Sequence, residues 1–467
     1  MENQGFQFPK GFFGAEAKGF GGKFSEPGEA RASVKNFPGV RLGGERQPKA
    51  GHFPKGFLWG SATSAHQVEG NNRNDWTEWE HFNAKRLTLN AKSKNWPDYI
   101  LKNYPSPLQE ENYISGRACD HYNRFREDFD IAKSLGHNAH RFSIEWSRIE
   151  PEEGRWDEKE IKHYREVLCS LRERGMEPFV TLWHWTNPVW FAERGGWLCK
   201  NAPFIFARFC KKAVECFPDV KYWITMNEPE AFPRHGYLLK DRPPARGEII
   251  SMFRALRNLA RAHKAAYLAM KEFNSALFIG YSESSVFFEP FNRMPHNILA
   301  FKLLRWWRNN PFFCRMSHDS DFIGLQFYFH SRVRIHPKSQ WWFQYNENKK
   351  VSDFGWEIYP EGIYRVLKDL KKHNKPIFIT ENGLADARDI YREKFIKEHL
   401  RWMHKAISEG VDVRGYFHWS LLDNFEWQQG FWPRFGLVEI DYKTQERRIR
   451  QSAYEYAKIV KANAIDL

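Results

Sequence analysis

Two glutamates occupy positions where a carboxylate can do chemistry. Glu228 lies in Thr225-Met226-Asn227-Glu228-Pro229 and Glu381 in Ile379-Thr380-Glu381-Asn382-Gly383, each directly after a short apolar run. Two carboxyl groups facing each other across a pocket can divide acid–base work. One protonates a leaving oxygen while the other attacks, or activates water. Two ordinary loop glutamates would give the same local pattern, so the pair gains meaning only from the elements that bring it together. Other polar and aromatic residues follow similar runs: Gln67 and Glu69, Arg141 and Glu145, His184 and Trp185, Asn227, Gln326 and Tyr328, Asn382, then Trp419, Asp423, Asn424, Glu426 and Trp427. Amides, carboxylates and flat indole faces suit a ligand rich in hydroxyls.

The positioning elements are legible as a repeat. Apolar runs at 57–62, 137–144, 177–183, 222–226, 277–282, 322–327, 376–380 and 415–419 alternate with longer amphipathic segments such as 120–135, 159–174, 204–216, 249–273, 360–371 and 388–409. Strand followed by helix, eight times over, predicts an α/β fold: a single (β/α)8 TIM barrel with elaborated βα loops. Such a barrel gathers all its strand ends at one opening, so the polar residues above are expected to share one pocket, with Glu228 and Glu381 facing each other from the fourth and seventh strands. Residues 85–117 and 284–321 exceed the minimal repeat and are expected as loops shaping its mouth.

Residues 1–52 read differently. They hold 11 of the 31 glycines and no sustained periodicity, which predicts an irregular N-terminal extension, disordered or draped over the surface. Phe8-Pro9-Lys10-Gly11-Phe12 reappears as Phe53-Pro54-Lys55-Gly56-Phe57, and only the second copy runs on into an apolar stretch. The catalytic barrel is therefore expected to span 53–467.

Composition narrows the partners. Net charge is +14, but the basic residues are scattered and their longest runs are doublets, which argues for a solvated surface and against nucleic acid. No apolar run is long enough to span a bilayer, and the first residues lack a secretory pattern. Six cysteines without paired metal-ligand spacing suggest reduced thiols, a cytoplasmic location and no metal site. The 20 Trp among 467 residues are more than packing requires and hint at a ring-lined site.

The motifs together resemble family 1 glycoside hydrolases, the β-glucosidase and β-galactosidase family. The resemblance rests on Asn227-Glu228-Pro229 and Thr380-Glu381-Asn382-Gly383. It extends to Phe57-Leu58-Trp59-Gly60-Ser61-Ala62-Thr63, Gln67-Val68-Glu69-Gly70, Arg141-Phe142-Ser143-Ile144-Glu145-Trp146 and Trp419-Ser420-Leu421-Leu422-Asp423-Asn424-Phe425-Glu426-Trp427. It implies a retaining hydrolase of unphosphorylated β-D-glucosides or β-D-galactosides, or of oligosaccharides that carry them, with no cofactor. Glu228 would be acid/base and Glu381 nucleophile, their carboxyls about 5–5.5 Å apart. Arg141 and Gln326 would support the nucleophile, and Tyr328 would donate to it. Asn227 would bind the sugar 2-OH. Gln67, His184, Glu426 and Trp427 would hold the other hydroxyls above a Trp419 platform. A lone histidine is usually a core residue; the family context makes His184 a ligand, while Trp185 stays divided between packing and contact.

The chain also departs from the family pattern. Gln326 stands where an asparagine is usual, which is expected to shift the nucleophile's hydrogen bonds. Thr186-Asn187-Pro188 replaces Asp-Leu-Pro, and Phe431 replaces a tyrosine. The segment between the fifth and sixth strands is shorter, which predicts a more open mouth. A transglycosylase, a non-catalytic sugar binder and a flat-ligand binder remain as other readings, the last kept by Trp306-Trp307 and Trp341-Trp342, which belong to no family motif.

Overall fold

The computed structural model describes residues 51–309, 316–335, 343–345 and 350–467. Residues 1–50, Trp341 and Trp342 thus lie outside the described residues. The strands in chain order are β1 (Leu58–Ala62), β2 (Ala139–Ser143), β3 (Glu177–Trp183), β4 (Tyr222–Asn227), β5 (Phe278–Pro290), β6 (Phe322–Arg334), the short β7 (Phe343–Tyr345), β8 (Ile377–Asn382) and β9 (Val413–Trp419). Eight of them pair in parallel in the order β5-β4-β3-β2-β1-β9-β8-β6, and β5 closes on β6; β7 pairs antiparallel with β6. This is the (β/α)8 TIM barrel that the alternation predicts.

The barrel interior is filled by rings. Phe179 stacks on Tyr222 with centroids 4.3 Å apart and meets Phe417 at 4.8 Å and Phe378 at 5.1 Å; Ala62, Ala139 and Ile224 fill in around them. Outside the strands, each helix turns one apolar stripe inward. In Glu158–Glu173 that stripe is Ile161, Tyr164, Val167, Leu168 and Leu171, the spacing of one helical face.

Two segments differ from expectation. Within 85–117, residues up to Lys92 belong to a helix, Asp75–Lys92. Asn74 caps it by accepting from Trp76 N and Thr77 N, both at 3.0 Å, so the chain leaves β1 through a helix before it becomes irregular. Within 284–321, β5 continues to Pro290 and the helix Pro295–Asn309 follows. Beyond the barrel rim β5 and β6 stay paired as a parallel ribbon, after a register shift between Ser285 and Val286. The helix packs on this ribbon, Ala300, Phe301 and Leu304 against Val286, Phe288, Phe329 and Val333. The pairing resumes after this irregularity, so both strands run on past the apolar runs that mark the barrel.

Candidate active site

A cavity of about 790 Å³ opens at the C-terminal ends of the strands. Gln67, His184, Trp185, Asn227, Glu228, Tyr328, Glu381, Trp419, Glu426 and Trp427 all line it. Each strand end contributes through local backbone geometry. Glu228 follows β4 with φ +42°, a left-handed turn that lifts its side chain off the strand line, and its N–H donates to Ser282 O at 2.7 Å. Glu381 is still within β8, where the register against both β6 and β9 shifts.

The two carboxyls are held differently. Glu381 Oε1 accepts from Arg141 Nη1 at 2.5 Å and from Gln326 Nε2 at 2.8 Å, and its Oε2 accepts from Tyr328 OH at 2.7 Å. Burial pushes its proton affinity up, and Arg141 and Tyr328 pull against that. Burial first, then the Glu381 charge, push Glu228 up to about 7, with Arg242 and a Ser284 hydrogen bond opposing. Arg141 also donates to Asn227 Oδ1, to Thr380 O at 3.1 Å and to Thr181 Oγ1 at 3.2 Å. One buried guanidinium thereby ties together four strand ends. Gln326 Nε2 donates to Asn227 Oδ1 as well, at 2.6 Å. The longer glutamine arm thus reaches both Glu381 and Asn227.

The far side of the pocket is built around Glu426. Burial is the main cause that pushes it up to about 8, and Gln67 Nε2 donates to its Oε2 at 3.3 Å. Gln67 is itself fixed by Phe425 O at 2.8 Å and Asn424 Oδ1 at 3.0 Å. Burial, then Arg141 and His66, hold His184 neutral, and its ring lies nearly parallel to Trp419 and Trp427. Trp185 donates its indole N–H to Asn227 O at 3.1 Å and also lines the cavity.

Not every strand-end residue reaches this pocket. Glu69 pairs with Arg148 at 2.9 Å and accepts Tyr164 OH at 2.7 Å. Glu145 accepts from Asn74, Ser147 and Thr186. Asp423 takes both ends of Arg450 at 2.8 Å. Asn382 bonds Phe327 O and Tyr416 OH. These groups are spent on joining neighbouring elements to one another, because a buried carboxylate or amide needs partners wherever it lies. Asn424 similarly orients Gln67 instead of lining the cavity. Arg234, His235, Arg242, Ser284, Phe354 and Trp356 do line it and belong to no motif noted above. Trp306 and Trp307 are 61% and 46% exposed on the helix Pro295–Asn309 and do not line it.

A closed parallel barrel with paired carboxyls above a bed of rings defines a glycosidase-type barrel. The chain belongs to glycosyl hydrolase family 1, whose family model matches residues 49–322 and 314–465. It is 35% identical to β-glucosidase A of Thermotoga maritima over 89% of this chain and 99% of that protein, and 30% identical to a β-galactosidase of Sulfolobus acidocaldarius over 88% and 96%. Among solved structures, a β-glycosidase from Pyrococcus horikoshii superposes with a TM-score of 0.79 at 36% identity, covering 90% of this chain and 97% of that one. The Thermotoga maritima β-glucosidase in complex with glucoimidazole gives 0.78 at 35%, covering 89% and 100%. The chain is a glycoside hydrolase, and the retaining mechanism is general to its family.

Proposed function

We propose that the pocket hydrolyses unphosphorylated β-D-glucosides, β-D-galactosides or both by double displacement, with Glu381 as nucleophile and Glu228 as acid/base. The observation that carries this is the unequal holding of the two carboxyls. Glu381 receives three donors that favour a carboxylate, while Glu228 is pushed up to about 7. In the first step Glu228 gives its proton to the glycosidic oxygen and a Glu381 oxygen bonds to the anomeric carbon as the leaving group departs. Glu381 is then an ester without charge, so the repulsion that raised Glu228 is relieved and its carboxylate can take a proton from water. The water oxygen attacks the same carbon and releases Glu381 and the sugar. Asn227 binds the 2-OH through its NH2 end, since both of its contacts with Arg141 and Gln326 fall on the oxygen. Gln67, His184, Glu426 and Trp427 hold the remaining hydroxyls, and Trp419 forms the floor. The reaction as written consumes no metal or cofactor.

The partner on this reading is a small glycoside or oligosaccharide, not nucleic acid or a membrane. Residues 53–467 form the catalytic barrel and 1–52 an extension to it. The five described cysteines are free thiols, which supports a cytoplasmic location. Among the described residues no helix is long and apolar enough to cross a membrane.

A screen of aryl β-glucosides and β-galactosides tests the reading. Glu381→Ala should lose at least about a thousandfold in kcat. Glu228→Ala should lose far less on a nitrophenyl glycoside than on an alkyl glycoside, because only the alkyl leaving group needs the proton. Unchanged turnover in Glu381→Ala would remove the assignment.

A further inference from the structure

The mouth of the pocket carries a guanidinium that the reaction above does not use. Arg242 lies 4.4 Å over the Trp185 ring and lines the cavity beside Glu228. Its Nε and Nη1 are buried and have no hydrogen-bond partner among the described residues. Three carboxylates act on it through space, Asp241, Glu228 and Glu426, and none is hydrogen-bonded to its Nε or Nη1. Asp241 accepts from His235 Nδ1, at 2.9 and 3.1 Å to its two oxygens, and Glu426 accepts from Gln67. Arg234 and His235, from the π-helical turn Arg234–Leu239, line the same wall. That turn is packed closely against the segment bearing Arg242. A Cβ on Gly236 would stand 2.6 Å from Pro243 O, and Arg246 N donates to Gly236 O at 2.9 Å. The backbone just after Arg242 is therefore pinned to this turn, and Asp241 just before it is held by His235.

Such a placement is unfavourable unless something answers it. Two buried guanidinium nitrogens without hydrogen-bond partners bear a desolvation cost. Arg242 also pulls protons off Glu228, opposing a group whose task is to donate one. An anion bound against Arg242 would relieve both. Glu228 protonates the leaving oxygen, so a cation beside Glu228 and over Trp185 faces the leaving group. We infer that this pocket takes β-glycosides whose leaving group carries a carboxylate, seated on the Arg242 guanidinium with its ring or chain against Trp185. The inference rests on the assignment of Glu228 as the acid. A guanidinium offers a planar fork that matches a carboxylate with two parallel hydrogen bonds, which a lysine would not.

The test compares kcat/KM for 4-carboxyphenyl and 4-carbamoylphenyl β-D-glucoside, which differ in charge but little in size. The carboxylate should be preferred by about tenfold at low salt, the scale of one charge-assisted pair. Arg242→Gln should bring the ratio to about one, and Arg242→Lys should restore part of it. The ratio in the unsubstituted enzyme decides by itself if a variant fails to fold: a value near one overturns the inference while leaving the hydrolase reading intact. No turnover of either glucoside overturns both. A preference for 4-carbamoylphenyl 6-phospho-β-D-glucoside over its unphosphorylated form would place the anion on the sugar and also overturn it.

Discussion

Glu228 and Glu381 share one pocket, and the sign of each shift sets a pH limb. On the proposed roles, Glu228 must be protonated to act as acid and Glu381 ionised to act as nucleophile. With its value pushed up to about 7, kcat/KM should fall as pH rises through about 7. Glu381 must be ionised, so activity should also be lost on the acid side, giving a bell. Replacing Glu381 by Gln removes the charge that raises Glu228, so Glu228 should then titrate lower. Carbon NMR of labelled glutamate reads this directly, and an unchanged value would refute the coupling. The same shift carries a stability cost. A carboxyl whose folded value exceeds its unfolded value destabilises the protein once pH is above the unfolded value. Glu228→Gln should therefore raise Tm by about a few degrees near pH 8, and the gain should vanish near pH 3. Much of this site is legible in sequence, because Glu228, Glu381, Arg141 and Tyr328 follow apolar runs and sit in motifs. The runs do not separate them from Glu69, Glu145 and Asp423, which follow strands just as closely but are consumed in ion pairs and hydrogen bonds between neighbouring elements. Arg242 carries no local signal. It lies in an irregular segment between elements and lines the cavity together with Glu228.

Among the elements, the eight strands are legible because a barrel strand buried on both faces is a continuous apolar run. The extensions of β5 and β6 are not, since beyond the rim they lose that burial and mix serine, arginine and glutamate with the rings. Contacts between loops are likewise invisible in one chain's local pattern. One of these lies beside Glu381. A Cβ on Gly383 would stand 1.8 Å from Trp419 O, so the turn after β8 and the end of β9 touch backbone to backbone. The glycine of Thr380-Glu381-Asn382-Gly383 is thus a steric requirement, not one of positive φ. Gly383→Ala must push these two strand ends apart, one carrying Glu381 and the other the Trp419 floor. It should cost about 1–3 kcal/mol in denaturant unfolding and lower kcat on aryl glucosides by at least about tenfold. Near-normal kinetics would mean that the two strand ends move independently, and that the pocket tolerates their separation.

For the whole molecule, the aromatic surplus divides by position. Phe179, Phe322, Phe378 and Phe417 fill the barrel, Trp419 and Trp427 line the pocket, and Trp306 stands in solvent. A further share closes the chain. Phe53 meets Trp59 at 4.7 Å edge to face and Phe57 at 5.2 Å, beneath the C-terminal segment. Asn463, at φ +48°, accepts the Trp59 indole N–H at 2.8 Å, donates to Phe53 O at 3.0 Å, and receives Phe53 N at its own carbonyl at 3.0 Å. Ile465 N donates to Gly51 O at 2.8 Å, so the pairing begins two residues before the boundary at 53. The second copy of Phe-Pro-Lys-Gly-Phe is thus part of a clasp that joins the barrel's two ends. This predicts opposite outcomes for two changes. Removing residues 1–50 should leave Tm within about a degree and aryl glucoside turnover within about twofold, since Gly51, Phe53 and Trp59 already tie to Asn463 and Ile465. Asn463→Ala should lower stability by about 1–3 kcal/mol, because the buried indole loses its acceptor and alanine disfavours the left-handed turn. Chemical unfolding of the two proteins side by side separates the cases. A large loss on removing 1–50 would mean that the leader, and not the clasp alone, holds the barrel's ends together.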